Sequence, residues 1–468
     1  MKNKSENGFE NPIYVNVKDE LNSVGNGMCL AKWTQVTLQL QTGHNHSCHH
    51  PNTHKISESE IARNPSALHN TKFKKLRRKE MLEGERPSEC NYCWNVEDNS
   101  ERFSDRVFKS SESWSWPHKE EIFNLDWRSD FNPKYVEVAF SNACNFKCSY
   151  CGPMFSSKWI EEIDKFGAYP TSNKFGDIEW IKKQNQLPYK HSDYNPYVEA
   201  FWKWWPDLYK DLDTFRITGG EPLLSKDTWE VLDYIISNPN PNRSLKLGIN
   251  SNLGVPQNLI DRLIEKLLYI TENNLAKEVV LFTSIDGWGA QAEYIRHGLE
   301  FNRFWDNVNK VLEKVPKVFI TFMSTYNALS VFSYYDLMKN ILVLKDAHKM
   351  VRGWLPCMLD TSYLRYPTHQ SIRILNDEHK NLILKQAEFG IYNLKHNENN
   401  LLANGFLDSE VQKIIRLHDW AITNDDKLET NRIDFVKFVD EHDKRRGTNF
   451  LKIFPEMEEF YHKIKENI

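Results

Sequence analysis

Three closely spaced cysteines are the first residues in the chain that could do chemistry. Cys144, Cys148 and Cys151 form a C-x3-C-x2-C pattern directly after an alternating apolar run, Val136 to Phe140. The run predicts a short strand, so the thiols lie on the loop that leaves it. Thiolates this close together can converge on one soft metal centre. Structural zinc takes four ligands, and no fourth Cys or His lies nearby in the sequence. An iron–sulfur cube on three thiolates instead keeps one iron open for a substrate or cofactor.

A second set of cysteines lies nearer the start of the chain. Alternation over Val36–Leu40 predicts a half-buried strand, and Gly43 and Asn45 supply a hairpin turn. Four cysteines in two pairs make a closed site, which is either zinc or a fully ligated iron–sulfur cluster, and spacing alone favours zinc. The hairpin brings the first pair together, and a C-x2-C pattern supplies the second: Cys29 with Cys48, and Cys90 with Cys93.

Two further groups of potential ligands have simpler interpretations. Because four cysteines already complete a site, the histidines crowded on the hairpin are interpreted as a solvent-exposed polar turn rather than as ligands. Cys357 is the only cysteine outside the two sets, and we interpret it as a small core residue rather than as a hydrogen-atom donor. The histidines are His44, His46, His49, His50 and His54.

Polar residues follow the next predicted strands. Gly219 and Gly220 allow close approach of the backbone to a ligand, and Glu221 adds a negative charge whose natural partner is a cationic amino group. Asp286 is equally well interpreted as a substrate contact or as a turn former. The further polar candidates near strand ends are Ser251, Asn252, Ser284 and Arg296.

Strand and helix patterns alternate from Val136 onward, which predicts a parallel sheet with right-handed crossovers. In barrels built this way the functional groups lie at the carboxyl ends of the strands. The predicted strands are Val136–Phe140, Thr214–Thr218, Leu245–Asn250, Val279–Ile285, Val318–Met323 and Val351–Leu355. Predicted helices between or after them include Asp227–Ile236, Leu259–Ile270, Phe304–Val315, His379–Lys395, Ser409–Trp420 and Arg432–His442.

Composition excludes several classes of protein. The chain has 468 residues, 26% of them charged, and a net charge of −4, so no overall basic character favours nucleic acid. No apolar run approaches the roughly 20 residues of a membrane helix. The polar start is not a signal peptide, so we expect a cytoplasmic protein whose cysteines bind metal rather than form disulfides.

The cysteine triad resembles the signature of the radical S-adenosylmethionine (radical SAM) enzymes, in which an aromatic residue, here Tyr150, precedes the last cysteine. The G-G-E-P segment at Gly219–Pro222, the polar end of strand three and S-I-D-G at Ser284–Gly287 match further motifs of that family. The resemblance implies an α/β fold with a partial (β/α)6 TIM-like barrel and a [4Fe–4S] cluster whose open iron binds SAM. It implies that Glu221 and its two glycines receive the amino group of SAM. It also places Tyr150 near the adenine, and Ser251, Asn252, Ser284 and Arg296 at the ribose and carboxylate.

The second set, of four cysteines, resembles the twitch or SPASM-type auxiliary-cluster domain found in radical SAM enzymes. That likeness favours a second [4Fe–4S] cluster over zinc. The family usually carries this domain after the barrel, whereas here it comes first, so the sequence does not indicate how it docks. The matching positions are Cys29, Trp33, Gly43, Cys48, Arg77, Met81, Leu82, Gly84, Cys90 and Cys93.

These patterns predict five parts of the chain. The insertion carries an aromatic block, which we interpret as an amphipathic helix packed on the barrel in preference to a lid over its mouth. The C-terminal helices are expected to cover one side or end of the barrel. The parts are a flexible arm (1–28), the auxiliary-cluster domain (29–97), a linker (98–134), the barrel (135–358, with an insertion at 154–213) and a C-terminal helical region (359–468).

The resemblance implies reductive cleavage of SAM to a 5′-deoxyadenosyl radical, which abstracts hydrogen from a substrate. A peptide is the favoured substrate, and a sugar, nucleotide or other small metabolite is the alternative. A low-potential donor such as flavodoxin or ferredoxin would supply the electron. A non-catalytic iron–sulfur or zinc-binding protein is the alternative of another class, which the triad together with G-G-E-P disfavours.

Overall fold

A computed structural model describes residues 11–190, 192–239, 244–394 and 405–468. Within these ranges the strands form one nine-stranded sheet, in the order β11-β10-β8-β7-β6-β4-β1-β2-β3, and a two-stranded pair, β5-β9. Their bounds are β1 Gln35–Gln39, β2 His44–His46, β3 His54–Lys55, β4 Tyr135–Ala139, β5 Lys147–Cys148, β6 Thr214–Thr218, β7 Lys246–Ser251, β8 Glu278–Ser284, β9 Arg296–His297, β10 Val318–Tyr326 and β11 Cys357–Tyr363.

Helices pack around this sheet. None of those described combines the length and the apolar character that a membrane span requires. Their bounds are α1 Pro12–Val24, α2 Ala31–Thr34, α3 Glu58–Arg63, α4 Lys72–Leu82, α5 Asn91–Asn99, α6 Asp105–Ser111, α7 Lys119–Phe123, α8 Ser157–Phe166, α9 Ile178–Lys183, α10 Pro196–Asp211, α11 Lys226–Ser237, α12 Gln257–Glu272, α13 Gly289–Ile295, α14 Phe301–Lys314, α15 Tyr334–Arg352, α16 Asp377–Tyr392, α17 Asp408–Ala421, α18 Leu428–Arg446, α19 Phe450–Ile453 and α20 Glu458–Lys465.

Six parallel strands, β4, β6, β7, β8, β10 and β11, lie in chain order, each hydrogen-bonded to the next. Buried Phe215 and Ile217 alternate with half-buried Arg216 and Thr218 along β6, so one face packs against helices and the other is polar and partly open. The prediction of an α/β protein with a parallel sheet and crossover helices is confirmed. Closure of that sheet into a partial barrel stays a prediction.

The predicted hairpin is present, but it extends the large sheet. Thr37 pairs with His46 in the antiparallel β1–β2 ladder, while the other edge of β1 runs parallel to β4, with Val36 opposite Val136. Val36 and Leu38 are fully buried in the core that underlies the parallel sheet. The hairpin therefore shares its hydrophobic core with the sheet.

A second, smaller core lies beside the first. Val17 and Leu21 of α1 are buried there with Trp33, Met81 and Val107. The prediction of a flexible arm over 1–28 is therefore wrong for residues 12–28, because α1 packs against α6; residues 1–10 lie outside the described ranges. Residues 98–134, predicted to be a linker, contribute α6 and α7 to the same core.

The sixth strand lies further along the chain than the sequence pattern predicted. Val351 and Arg352 are the last residues of α15, and Gly353 ends that helix in the left-handed region with φ 72°. The strand begins only at Cys357, after the chain has turned. Cys357 is fully buried, which confirms its interpretation as a core residue.

The insertion and the C-terminal region agree with the predicted helices. Phe201 and Trp205 of α10 are fully buried, which confirms that the aromatic block packs on the sheet. Helices α16, α17 and α18 fall where helices were predicted, although Lys395, the predicted end of the first, lies outside the described residues. Lys345 and Glu410 form a buried ion pair that joins α15 to α17.

Candidate metal and cofactor sites

The triad of cysteines lies on the loop after β4, residues 140–153, which we call the cysteine loop. This loop is fixed at several points. Cys148 belongs to β5 and pairs with Arg296 of β9, which connects the loop to the segment after β8. Ser149 exchanges two hydrogen bonds with the Gln370 side chain, at 2.8 and 3.0 Å. The indole of Trp159 donates to the Cys148 carbonyl at 3.0 Å. These bonds hold the three thiols in place within the protein.

Burial keeps these thiols protonated. It raises the pKa of Cys151 to about 12 and also raises the pKa of Cys144 and Cys148, although Arg296 partly lowers that of Cys148. A metal centre bound here would have to displace those protons.

The spacing of the sulfurs distinguishes between kinds of metal centre. No three cysteine sulfurs among the described residues lie within 4.8 Å of one another. Four thiolates on a single zinc ion would lie about 3.8 Å apart, given Zn–S bonds of about 2.3 Å. A multi-iron cluster holds its thiolates further apart, because each binds a different iron. In each set, therefore, at least one pair among any three sulfurs is wider than in a preformed zinc site.

The G-G-E segment lies directly against the cysteine loop. Gly220 N donates to Ser141 O at 3.1 Å, and Glu221 N donates to Ala143 O at 2.7 Å. A Cβ on Gly219, whose φ is 125°, would lie 2.7 Å from Ser141 O, and one on Gly220 would lie 2.4 Å from Ala143 O. The two glycines are therefore required because the cysteine loop approaches their backbone closely. The sequence analysis predicted that a ligand would make this close approach.

Glu221 is a buried carboxylate with polar but uncharged neighbours. Its oxygens accept hydrogen bonds from Leu223 N at 3.1 Å, Ser251 Oγ at 3.0 Å and Asn252 N at 2.6 Å. No Lys, Arg or His in the described part of the chain forms an ion pair with it. Burial raises its pKa to about 7, and the three hydrogen bonds only partly counteract that rise. Ser251 and Asn252, which were assigned to SAM, thus position the carboxylate.

Tyr150, Asp286 and Arg296 form a buried hydrogen-bonded group. The Tyr150 hydroxyl donates to Asp286 Oδ2 at 2.7 Å, and Arg296 Nη2 donates to the Tyr150 oxygen at 2.6 Å. Arg296 Nη1 also lies 3.5 Å from Cys148 Sγ. Thr325 N donates to Asp286 Oδ1 at 2.7 Å. The group connects the cysteine loop to the ends of β8 and β10, where Ser284 is the half-buried last residue of β8.

A cleft of about 560 Å³ opens beside Cys151. Half-exposed aromatic side chains from the cysteine loop, the insertion and the segment after β11 line it, namely Phe155, Trp180 and Tyr366. Its volume lies in the range of small-molecule and peptide side-chain sites.

The second set of cysteines surrounds a small cavity. Cys29, Cys48, Cys90 and Cys93 all line it. Burial raises the pKa of Cys29 and of Cys93 to about 12. The structure therefore brings together the two pairs that the sequence predicted to form one site.

Three basic side chains are buried behind that cavity. Lys32, Lys74 and Arg78 are at most 2% exposed. Among the described residues, the one ion pair that these three cations form is Lys32 with Glu89. Lys74 lies against His69, with 2.8 Å between Nζ and Nδ1. Burial lowers the pKa of Lys74 well below its usual value, so an anionic thiolate centre in the cavity would favour its charged form.

Arg446, which contacts the cysteine loop, gave no usable sequence signal. Arg446 of α18 donates to the Lys147 carbonyl at 2.6 Å and forms an ion pair with Glu162 at 3.1 Å. Burial would raise the pKa of Glu162, but hydrogen bonds from Arg446 and Lys147 lower it to about 2. Arg446 lies far from the triad in sequence and in a helix with ordinary charge patterning. A three-dimensional contact alone reveals it.

Comparisons with known proteins found only distant likenesses. No protein-family model matches the chain, and no curated protein does. A crystal structure of Streptococcus suis SuiB bound to S-adenosylmethionine aligns with 12% identity and a TM-score of 0.28, covering 72% of this chain and 75% of that one. SuiB bound to precursor peptide SuiA aligns with 11% identity and a TM-score of 0.27, covering 71% and 72%. Likeness at this level carries no argument about fold or function.

Replacing Gly220 tests the close approach of the cysteine loop. We expect Gly220→Ala to lower the free energy of unfolding by about 1–3 kcal/mol, because the new methyl group overlaps backbone atoms that cannot move independently. Gly152→Ala is the matched control, since a Cβ there meets no atom within 4 Å. Urea unfolding followed by tryptophan fluorescence measures both. Equal stability of the two variants would contradict the contact.

The pKa of Glu221 predicts a dependence of stability on pH. Between pH about 4.5 and about 7 the folded state holds a proton that the unfolded state has lost, so this group makes the free energy of unfolding fall as pH rises. Its contribution reaches at most about 3 kcal/mol. In Glu221→Gln that part of the slope should disappear from urea unfolding curves, whereas exposed Glu161→Gln should keep it. An unchanged slope in Glu221→Gln would exclude the assignment.

Proposed function

We propose that this protein is a radical SAM enzyme that cleaves S-adenosylmethionine reductively at a [4Fe–4S] cluster and abstracts hydrogen from a peptide. The observation that carries the proposal is the placement of Glu221. A buried carboxylate without a cationic partner is hydrogen-bonded, through its own backbone, to a loop that carries three thiols. That combination provides three cluster ligands and an adjacent acceptor for an ammonium group.

Glu221 has room for one more hydrogen bond. A carboxylate offers about four acceptor positions, and three are occupied by Leu223, Ser251 and Asn252. An ammonium group would occupy the fourth and also supply the missing positive charge. This agrees with the role that G-G-E-P has in the family that the chain resembles.

The other residues hold and shield the site. Cys144, Cys148 and Cys151 would ligate three irons and leave one open. When bound, such a cluster with SAM supplies one electron to the sulfonium, which yields methionine and a 5′-deoxyadenosyl radical. Arg296, through Tyr150 and Asp286, fixes the loop that carries the thiols.

The four-cysteine cavity supports an auxiliary [4Fe–4S] cluster. Among any three of its sulfurs at least one pair is wider than zinc requires, and buried Lys32 favours an anionic centre. Four cysteines would leave no iron open for substrate. Such a cluster would transfer electrons to or from a substrate radical, and a flavodoxin or ferredoxin would reduce the SAM-binding cluster.

The cleft beside Cys151 is the proposed entrance for the substrate. It is bounded by the insertion on one side and by the cysteine loop on the other. Half-exposed Phe155 and Trp180 would contact apolar side chains of a peptide. Asn173, which also lines the cleft, offers a polar side chain to its backbone.

Replacing one triad cysteine tests the reaction. After anaerobic reconstitution with iron, sulfide, reductant and SAM, wild-type protein should form 5′-deoxyadenosine, and Cys148→Ala should form none, because the cluster loses a ligand. Cys357→Ala is the matched control and should retain activity, since that thiol is buried in the core. Chromatography of the products measures 5′-deoxyadenosine directly. Turnover retained in Cys148→Ala would refute the assignment.

Replacing one cysteine of the other set separates the two centres. We expect Cys90→Ala to reduce the bound iron and sulfide from two cubes to one while leaving SAM cleavage largely intact, since the triad is unchanged. Iron and sulfide assays, read beside 5′-deoxyadenosine formation, measure the two effects. Unchanged iron content would show that no cluster is held by the four cysteines.

A further inference from the structure

Two histidines that follow Cys48 converge on one carboxylate oxygen. The Nε2 atoms of His49 and His50 lie 3.3 and 2.8 Å from Oδ2 of Asp105. The three potential ligand atoms lie within 4.8 Å of one another. Among the described residues, no other group of three or more His, Cys, Asp or Glu side chains meets that spacing. None of these three side chains has a role in the proposed function.

These distances fit a shared metal ion. Zinc binds imidazole nitrogen at about 2.0–2.1 Å and carboxylate oxygen at about 2.0–2.2 Å, so tetrahedral ligand atoms lie about 3.3–3.5 Å apart. The pair of His49 with Asp105 already has that separation, and the pair with His50 needs to open by only about half an ångström. A simple hydrogen bond with Asp105 would explain the position of His50. It would not explain why the imidazole of His49 lies at the same oxygen.

The ligands are held by their surroundings. The His50 ring stacks on Tyr92, with 3.6 Å between ring centroids and 12° between planes. Asp105 is the first residue of α6, whose helix fixes its backbone. His49 has 62% of its side chain exposed, so one side of the group faces solvent and is open to a water ligand. Preorganised ligands with one open position are typical of a bound divalent ion.

We propose that His49, His50 and Asp105 bind a divalent first-row metal ion, and that zinc is the ion that they fit best. Two imidazoles and one carboxylate are borderline ligands that zinc accepts and that bind manganese less tightly. The ion would tie the loop after β2 to α6, next to the four-cysteine cavity that His50 and Asp105 also line. It would thereby hold Cys48 against the other three cysteines. The proposal is independent of the chemistry at the triad.

Zinc binding by the full-length, reconstituted protein tests the proposal. After desalting, titration with zinc chloride and analysis of metal content should give one zinc per chain in addition to iron. His49→Ala and Asp105→Asn should bind zinc at least about tenfold more weakly while iron and sulfide stay unchanged. His118→Ala is the matched control, because His118 lies beside a single carboxylate, that of Glu121, at 3.8 Å. Manganese chloride in place of zinc should bind more weakly.

Three results would overturn the proposal. They are the absence of a stoichiometric zinc, equal zinc affinity in wild type and both variants, and loss of that zinc in Cys90→Ala instead of His49→Ala. The last result would assign the ion to the four-cysteine cavity. Formation of 5′-deoxyadenosine is measured separately, so a failure of the proposed function does not affect this outcome.

Discussion

The structure depends on a contact between two backbones. The loop that carries the triad and the turn after β6 approach so closely that neither Gly219 nor Gly220 has room for a Cβ. Two hydrogen bonds then fix the loop to the turn. Because Glu221 is the next residue, the same contact buries its carboxylate beside the thiols. A side chain at either glycine would separate the groups that the proposed chemistry needs together.

Electrostatics distinguishes the two cysteine sites. Around the triad the buried cations have carboxylate partners: Arg296 pairs with Asp286, and Arg446 pairs with Glu162. Behind the four-cysteine cavity Lys32 pairs with Glu89, whereas Lys74 forms no ion pair among the described residues and burial lowers its pKa. Cations near a cluster stabilise its reduced form, because reduction adds negative charge. If both cavities hold clusters, the negative charge of the second would favour the charged form of Lys74, and that cation would make the four-cysteine site the easier one to reduce.

Local sequence patterns predicted most of the strands of the sheet. They failed where tertiary contacts determine the structure. Alternation placed the strand over Thr214–Thr218 correctly, because its buried and half-buried faces follow the pleat of the backbone. The same rule misplaced the sixth strand at Val351–Leu355, since Val351 and Arg352 belong to the end of α15 and the strand begins only at Cys357. The motifs made the triad and Glu221 candidates, because the spacing within each motif is local. Arg446 could not be predicted in this way, because only folding brings α18 to the cysteine loop.

The ladder between β1 and β4 determines how the two cysteine sites are related. The sequence predicted a separate auxiliary domain whose docking it could not specify. In the structure, five residue pairs from Gln35–Tyr135 to Gln39–Ala139 join the hairpin to the strand that leads into the triad. Cys48 follows that hairpin and the triad follows β4, so one continuous sheet carries both. Their separation is thus set by backbone hydrogen bonds rather than by the packing of two mobile domains, as electron transfer over a fixed distance would require.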